Sequence, residues 1–257
     1  MRKLTLIVLF ALGMMLPASA SHAFKIDGDL SDWGVRPGTW SASSWGTSDW
    51  TPNAGISFNV EDQDPSVQYL NPGYGAQAFD AEAIYVTYDD KNLYYAIVTG
   101  KSPGITQGLM PGDIAFDFGN DGKFEYGIET TDTGSGADKR KAGELYTVKS
   151  WKLGLWNSVD PTEMNVINND LGNGKLAYND DFYGANRGDH YVIEGSIAQK
   201  YFGADWGKAF TMSWTETCGN DVIQLKVGPT PTPEPATMVL FGVGLAGLGL
   251  LRRMKLS

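Results

Sequence analysis

Residues 83–98 read AIYVTYDDKNLYYAIV, and this stretch decides the predicted fold. Two runs rich in β-branched and aromatic residues, 83–88 and 93–98, flank the polar sequence Asp-Asp-Lys-Asn. Such runs favour strands, and a short polar loop between them is typical of a β-hairpin. We therefore predict two antiparallel strands joined at 89–92.

The same pattern recurs along the chain. Residues 114–118 and 123–128 flank Gly-Asn-Asp-Gly and predict a second hairpin. Further predictions are strands at 56–60, 145–150, 190–197, 210–215 and 222–227, and one helical turn at 196–202. Many short strands separated by turn residues are typical of the all-β class, and we predict a single antiparallel β-sandwich, jelly-roll-like.

The N-terminus has the order of a secretory signal peptide. Arg2 and Lys3 precede an apolar run, and small residues follow Pro17. That apolar run is too short for an ordinary membrane span. We expect the secretion machinery to remove residues 1–23 by cleavage after Ala23, with Ala20 as a second candidate position.

The C-terminus has three consecutive parts. Residues 228–235 are rich in proline and form neither a helix nor a central strand. Residues 236–251 are uncharged and apolar, slightly short of a typical membrane span. Residues 252–257 are basic, which favours the cytoplasmic side. We predict a linker, a transmembrane sorting helix and a cytoplasmic tail, preceded by a body at 24–227.

These C-terminal parts carry a family resemblance. Pro233, Glu234 and Pro235, the Gly/Leu-rich segment and the basic pair Arg252 and Arg253 resemble the PEP-CTERM sorting signal of Gram-negative bacteria. The resemblance implies an exosortase as partner, a membrane protease thought to cut near Pro-Glu-Pro. It also implies transient anchoring in the inner membrane, then delivery to the cell surface or the extracellular matrix of a biofilm.

The composition of the body excludes several function classes. Between the two signals, 15 basic and 29 acidic residues remain, a net charge of −14. So acidic a body argues against a nucleic-acid partner and suits a divalent cation or a neutral glycan. Cys218 is the single cysteine, so it is either a buried thiol or a link to another molecule. His190 is the only histidine of the body, which excludes a His-rich zinc site.

A second resemblance concerns the body. Residues 25–33, KIDGDLSDW, resemble the opening of β-sandwich domains related to the family 9 carbohydrate-binding modules. Residues 92–98, 193–197 and 201–203 fit the same pattern. The resemblance implies a β-sandwich with structural calcium, and it makes exopolysaccharide a candidate ligand. Residues 214–221, WTETCGND, are similar to a segment of other PEP-CTERM proteins of unassigned role.

Tryptophans are the candidate glycan contacts, because an exposed indole offers a flat apolar face for a sugar ring. We expect Trp33, in the opening signature, to lie in the core. For the other tryptophans a binding surface and a core plug both remain open. The candidate contacts are Trp40, Trp45, Trp50, Trp151 and Trp156.

Residues 117–125, DFGNDGKFE, place carboxylates around a turn glycine, as calcium loops do. The pattern departs from an EF-hand, because Gly119 replaces the third-position ligand and Ile128 replaces the bidentate glutamate. A hairpin turn with positive φ angles explains the same residues. Carboxylates near residue 27 either bind calcium or cap turns. The candidate calcium ligands are Asp27, Asp29, Asp117, Asp121 and Glu125.

Support for catalysis is thin. The sequence has no phosphate loop, no Gly-x-Ser-x-Gly elbow and no His-Glu-x-x-His motif. Carboxylates are plentiful, but no spacing marks a hydrolytic pair. We predict a non-catalytic surface or matrix protein with glycan binding as a candidate role. The alternatives are a structural matrix or adhesion protein without a small ligand, and a secreted glycoside hydrolase.

Overall fold

A computed structural model describes residues 24–35, 50–60, 76–136, 139–155, 159–179 and 190–229. The strands within these residues are β1 (Ser57–Val60), β2 (Ala81–Tyr88), β3 (Asn92–Thr99), β4 (Ile114–Phe118), β5 (Tyr126–Ile128), β6 (Glu144–Leu153), β7 (Pro161–Asn173), β8 (Lys175–Asn179), β9 (Tyr191–Ala198), β10 (Phe210–Thr215) and β11 (Val222–Val227). The same described residues include short 3₁₀ segments at Ala76–Phe79 and Gln199–Asp205.

The strands form two antiparallel sheets. The first sheet has the order β1-β2-β3-β9-β8, and the second has the order β11-β10-β4-β5-β6-β7. The predicted hairpin lies at the centre of the first sheet, with Tyr88 opposite Leu93. Its loop is capped by the Asp89 carboxylate, which accepts hydrogen bonds from the backbone N–H groups of Lys91 and Asn92. The predicted all-β class and antiparallel pairing are confirmed.

One apolar core joins the sheets face to face. Phe202, from the 3₁₀ segment Gln199–Asp205, closes the core against Phe116 and Phe118, with ring centroids 5.9 and 5.1 Å away. Burial of apolar side chains between two packed sheets is the main force that holds the sheets together. The large buried side chains of this core include Ile84, Tyr95, Ile97, Phe116, Ile193, Phe210, Met212 and Trp214.

The outer face of the first sheet is covered by the segment 24–35 together with Trp50. Alternate residues of β2 and β3 point away from the first core, as successive strand residues must. They enter a second apolar cluster, so these strands are buried on both faces and read as continuous apolar runs. The second cluster contains Leu30, Trp33, Val35, Trp50, Ala83, Tyr85, Tyr94, Ala96, Val98 and Val192.

The outer face of the second sheet is covered by the β6–β7 ribbon. Several register shifts interrupt its pairing, and such bulges increase the local twist. Trp151 and Met164 of the ribbon lie so close to Gly127 of β5 that an added Cβ would come within 2.7 and 2.5 Å of them. The ribbon therefore folds back over its own sheet, and β7 then leads through Gly174 into β8 of the first sheet.

Two strands, β7 and β8, lie outside the predicted set. β7 reads PTEMNVINNDLGN and is an edge strand whose residues 165–170 are exposed, so it carries no apolar alternation. The helical turn predicted at 196–202 lies at Gln199–Asp205, because β9 extends to Ala198.

The membrane-related predictions fall elsewhere in the chain. No helix within the described residues combines the length and apolar character needed to cross a membrane. The predicted signal peptide at 1–23, the Pro-Glu-Pro part of the linker, the sorting helix at 236–251 and the basic tail lie outside the described residues.

Candidate functional site

Three carboxylates meet in the loop between β4 and β5. Asp117, in β4, is 4% exposed, Asp121 is exposed and Glu125 is half-buried. One oxygen from each carboxylate lies within 4.8 Å of the others, and the described residues contain no second group of this kind. Clustered carboxylate oxygens are the ligands that Ca²⁺ prefers. The structure thus brings together three of the five predicted calcium ligands.

The same loop is also a well-formed hairpin turn. Gly119, Asn120 and Gly122 have φ values of 100°, 56° and 85°. The Asp117 carboxylate accepts hydrogen bonds from the backbone N–H groups of Asp121, at 3.1 Å, and Gly122, at 2.8 Å. Each carboxylate oxygen retains a further lone pair, so these bonds are compatible with a bound cation. The turn and the cation site therefore remain two alternatives for the same residues.

Lys123 is the basic side chain of this loop. Its Nζ lies 2.9 Å from the Asp121 carboxylate, and this bond lowers the pKa of Asp121. Burial raises the pKa of Glu125, and the charges of Asp117 and Asp121 add to the rise. A divalent cation would favour the ionised form of Glu125 and compete with Lys123 for Asp121.

The other two predicted calcium ligands cap turns. The Asp27 carboxylate forms an ion pair with Lys25 and accepts a hydrogen bond from the backbone N–H of Asp29 at 3.1 Å. The Asp29 carboxylate accepts one from the backbone N–H of Ser31 at 2.9 Å. These are the local bonds by which aspartate stabilises a turn, and neither residue joins the three-carboxylate group.

Trp50 does not present a binding face. Its side chain is 0% exposed within the second apolar cluster, and its carbonyl oxygen accepts a hydrogen bond from the Tyr85 hydroxyl at 2.9 Å. The prediction of a glycan contact at Trp50 is therefore wrong, because the indole covers the first sheet. Trp33 is buried as expected. The candidate contacts Trp40, Trp45 and Trp156 lie outside the described residues.

Trp151 is half-buried and lies beside the acidic loop. Its Nε1–H donates a hydrogen bond to the carbonyl oxygen of Phe124 at 2.8 Å. The Phe124 ring stands edge-on to the indole, with centroids 6.5 Å apart. Since Phe124 belongs to the loop that carries Glu125, the structure places one candidate glycan contact next to the candidate cation ligands.

Glu194 binds the opening segment KIDGDLSDW, residues 25–33, to the first sheet. This β9 side chain is 0% exposed, and its carboxylate accepts hydrogen bonds from the backbone N–H groups of Asp27 and Gly28 and from the Trp33 indole, at 2.8–2.9 Å. Burial raises its pKa to about 7, although these three donors lower it. The only sequence signal for this role is an acidic residue inside an otherwise apolar strand.

A second buried carboxyl group fastens the ribbon. Asp113, just before β4, is 3% exposed and accepts a hydrogen bond from the backbone N–H of Met164 at 2.8 Å. Its neighbour Glu129 is 1% exposed and lies 3.1 Å from the Arg140 guanidinium. Burial raises the pKa of Asp113 well above its usual range, and Glu129 adds to the rise. No local sequence pattern predicts this pair, because 15 residues separate its members.

The comparisons with known proteins concern the tail. Residues 231–253 match the family model described as the PEP-CTERM protein-sorting motif. This chain carries a sorting motif at its C-terminus. No curated protein and no solved structure matches the chain. The match supports the predicted processing by an exosortase, whereas no relative supports the resemblance of the body to carbohydrate-binding modules.

The last strand, β11, ends near the acidic loop. Val227, the last residue of β11, pairs with Phe210, which in turn pairs with Phe118 at the start of that loop. The sorting motif begins at residue 231, shortly after the last described residue, Pro229. β11 therefore ends at the side of the sandwich that bears Asp117, Asp121 and Glu125.

Proposed function

We propose that this chain is an exported, non-catalytic surface or matrix protein from which an exosortase removes the C-terminal tail. The observation that carries the proposal is the sorting motif at 231–253. The basic, apolar and small residues of 1–23 support export by the general secretory route. The apolar segment 236–251 then holds the protein in the inner membrane until cleavage near Pro233–Pro235 releases the body.

Intact-mass analysis of surface protein from exosortase-positive and exosortase-negative cells tests the sorting step. We expect the released form to lack residues 1–23 and the tail beyond about Pro235, and the negative strain to retain the tail. Glu234→Gln should block release, while Pro229→Ala, outside the Pro-Glu-Pro motif, should leave it unchanged. A full-length C-terminus in exosortase-positive cells would refute the proposal.

The finer role that we propose for the body is glycan binding at the Trp151–Phe124 surface. A partly exposed indole beside acidic side chains suits a sugar ring that stacks and donates hydroxyl hydrogen bonds. The test is binding of the processed protein to the host's own exopolysaccharide, with Trp151→Ala compared with Lys149→Ala on the same strand. Binding lost only in Trp151→Ala supports the role. No binding by the unaltered protein favours the alternative, a structural matrix or adhesion protein without a small ligand.

The acidic loop is the candidate calcium site within this role. Its three carboxylates lie in one short loop and provide the oxygen ligands that calcium requires. Calcium should raise the melting temperature of the processed protein, and Asp121→Asn should abolish that rise. The matched control is Asp90→Asn, which removes an exposed acid from the other hairpin. If calcium raised the melting temperature of both variants equally, the loop would be a hairpin turn without a calcium site.

A further inference from the structure

Glu216 is a buried carboxyl group whose two oxygens lack a hydrogen bond of good geometry. It lies in the turn 216–221 that joins β10 to β11, and it is 0% exposed. Neither carboxyl oxygen accepts a geometrically sound hydrogen bond. None of the ion pairs in the described part of the chain involves it. An ionised carboxylate in such a place is unfavourable, because its lost hydration is not replaced.

The titratable groups that face Glu216 come from four parts of the chain. They replace little of the hydration that an ionised Glu216 would lose. Asp80, before β2, is acidic and raises the pKa of Glu216, whereas Lys101, after β3, is basic and lowers it. Tyr178 of β8 and Cys218 of the turn are further neighbours. Burial is the main cause that raises the pKa of each, and the negative charge of an ionised Glu216 adds to the rise. Burial raises the pKa of Glu216 to about 8, and the nearby backbone N–H groups and Lys101 offset only part of this rise.

Lys101 is directed towards its own loop. Its Nζ donates hydrogen bonds to the carbonyl oxygens of Ser102, at 2.9 Å, and Gly104, at 2.5 Å, and to the Thr106 hydroxyl at 3.3 Å. Three acceptors satisfy the three donors of an ammonium group. Lys101 is therefore fully engaged without Glu216.

The turn that carries Glu216 links several parts of the sandwich. The Asp221 carboxylate accepts a hydrogen bond from the backbone N–H of Ala81 at 2.7 Å, which connects the second sheet to the first. The Thr217 N–H donates to the carbonyl oxygen of Met110 at 3.1 Å. Cys218 is 1% exposed at the centre of the turn. Opening of this turn would break the cross-sheet bond and expose the only cysteine.

We propose that Glu216 is a proton-dependent latch on the turn 216–221. With its proton bound, the group is neutral and the turn stays closed. When the proton leaves, the carboxylate regains its hydration by opening the turn, and Cys218 becomes accessible. The sign follows from linkage: the closed state binds the proton more tightly than the open state, so the closed state is lost as the pH rises.

The opening equilibrium can be measured through Cys218. The rate of its reaction with a thiol reagent is recorded for the processed protein between about pH 5 and pH 9. Dividing by the rate of the denatured protein at the same pH removes the effect of thiol ionisation. We expect this ratio to rise about tenfold per pH unit up to about pH 8 and then to level off.

Two variants make the test specific. Glu216→Gln keeps the shape of the side chain but has no ionisable proton, so it should abolish the slope. Glu194→Gln removes a buried carboxyl group on the outer face of the first sheet and should retain the slope. A pH-independent ratio in the unaltered protein, or an unchanged slope in Glu216→Gln, would overturn the proposal.

Hydrogen exchange gives a second test that needs no variant. The amides of Ala81 and Gly219 belong to the latch, whereas the amide of Ile97 lies in the centre of β3. After correction for intrinsic exchange, protection of the first two should fall with rising pH while that of Ile97 stays constant. Parallel behaviour of all three amides would show global unfolding and contradict the latch.

Discussion

The two outer faces of the sandwich are covered in different ways. The first sheet is covered by an aromatic segment that is far from it in sequence, and Glu194 binds that segment through three N–H groups. The second sheet is covered by its own β6–β7 ribbon, which Asp113 binds through the backbone N–H of Met164. In both cases a buried carboxyl group replaces the strand pairing that is absent between a sheet face and its cover.

The difference lies in what each cover leaves exposed. The segment over the first sheet buries Trp33 and Trp50 completely, so its indoles stabilise the fold. The ribbon over the second sheet leaves Trp151 half-exposed and places it beside the acidic loop. The first cover is therefore expected to dominate stability, and the second to provide the surface available for a ligand.

Among the variants that test this comparison, Trp33→Ala should have the largest effect on the free energy of unfolding. Truncating a fully buried tryptophan leaves a cavity and removes its indole bond to Glu194, so we expect a loss of about 3–5 kcal/mol in the free energy of unfolding. Urea denaturation measures the change. Trp151→Ala, in the ribbon, is the control and should cost less than half as much. Equal losses would contradict the proposed division of roles.

The Glu194 contact should make stability depend on pH. Its pKa is raised from 4.5 to about 7, so the folded state holds a proton that the unfolded state has already released. The stabilisation is complete below about pH 4.5 and is lost as the pH rises to about 7, a change of about 3 kcal/mol. Subtracting the profile of Glu194→Gln isolates this contribution. If the two profiles run parallel, burial of Glu194 does not govern its ionisation.

Asp113→Ala should weaken the attachment of the β6–β7 ribbon, with a smaller loss in the free energy of unfolding than Trp33→Ala. The variant leaves the buried N–H of Met164 without its acceptor, which costs about 1–3 kcal/mol. Chemical denaturation gives the total loss, and hydrogen exchange at Met164 localises it. Asp132→Ala, at an exposed position near the ribbon, is the control and should leave the Met164 amide unchanged. Unaltered exchange at Met164 in Asp113→Ala would show that Asp113 does not fasten the ribbon.

Trp151→Phe should have the smallest effect. It removes one hydrogen bond, from Nε1 to the Phe124 carbonyl, and retains an aromatic face, so we expect a loss of about 1 kcal/mol. Thermal unfolding measures this change. A loss as large as that of Trp33→Ala would show that the Trp151 indole belongs to the core and does not form part of a surface.

The pattern of the strands predicted most of the fold. The strands at 114–118, 210–215 and 222–227 were predictable to the residue, because apolar and β-branched side chains fill them and turn residues bound them. β7 was not predictable, since an exposed edge strand carries no periodic apolar signal. The acidic loop was predictable as a cluster because its carboxylates lie within nine residues of one another.

What the sequence determined by itself is local or terminal: the strands and turns, the acidic loop, and the sorting motif at 231–253, which is recognised as a linear pattern. The tertiary structure alone decided that Trp50 is buried while Trp151 stays half-exposed, and which carboxyl groups meet. Trp33 contacts Glu194 across 161 residues, and Met164 contacts Asp113 across 51. Such contacts depend on which sheet face each segment covers, and that choice is set by the packing of the whole chain.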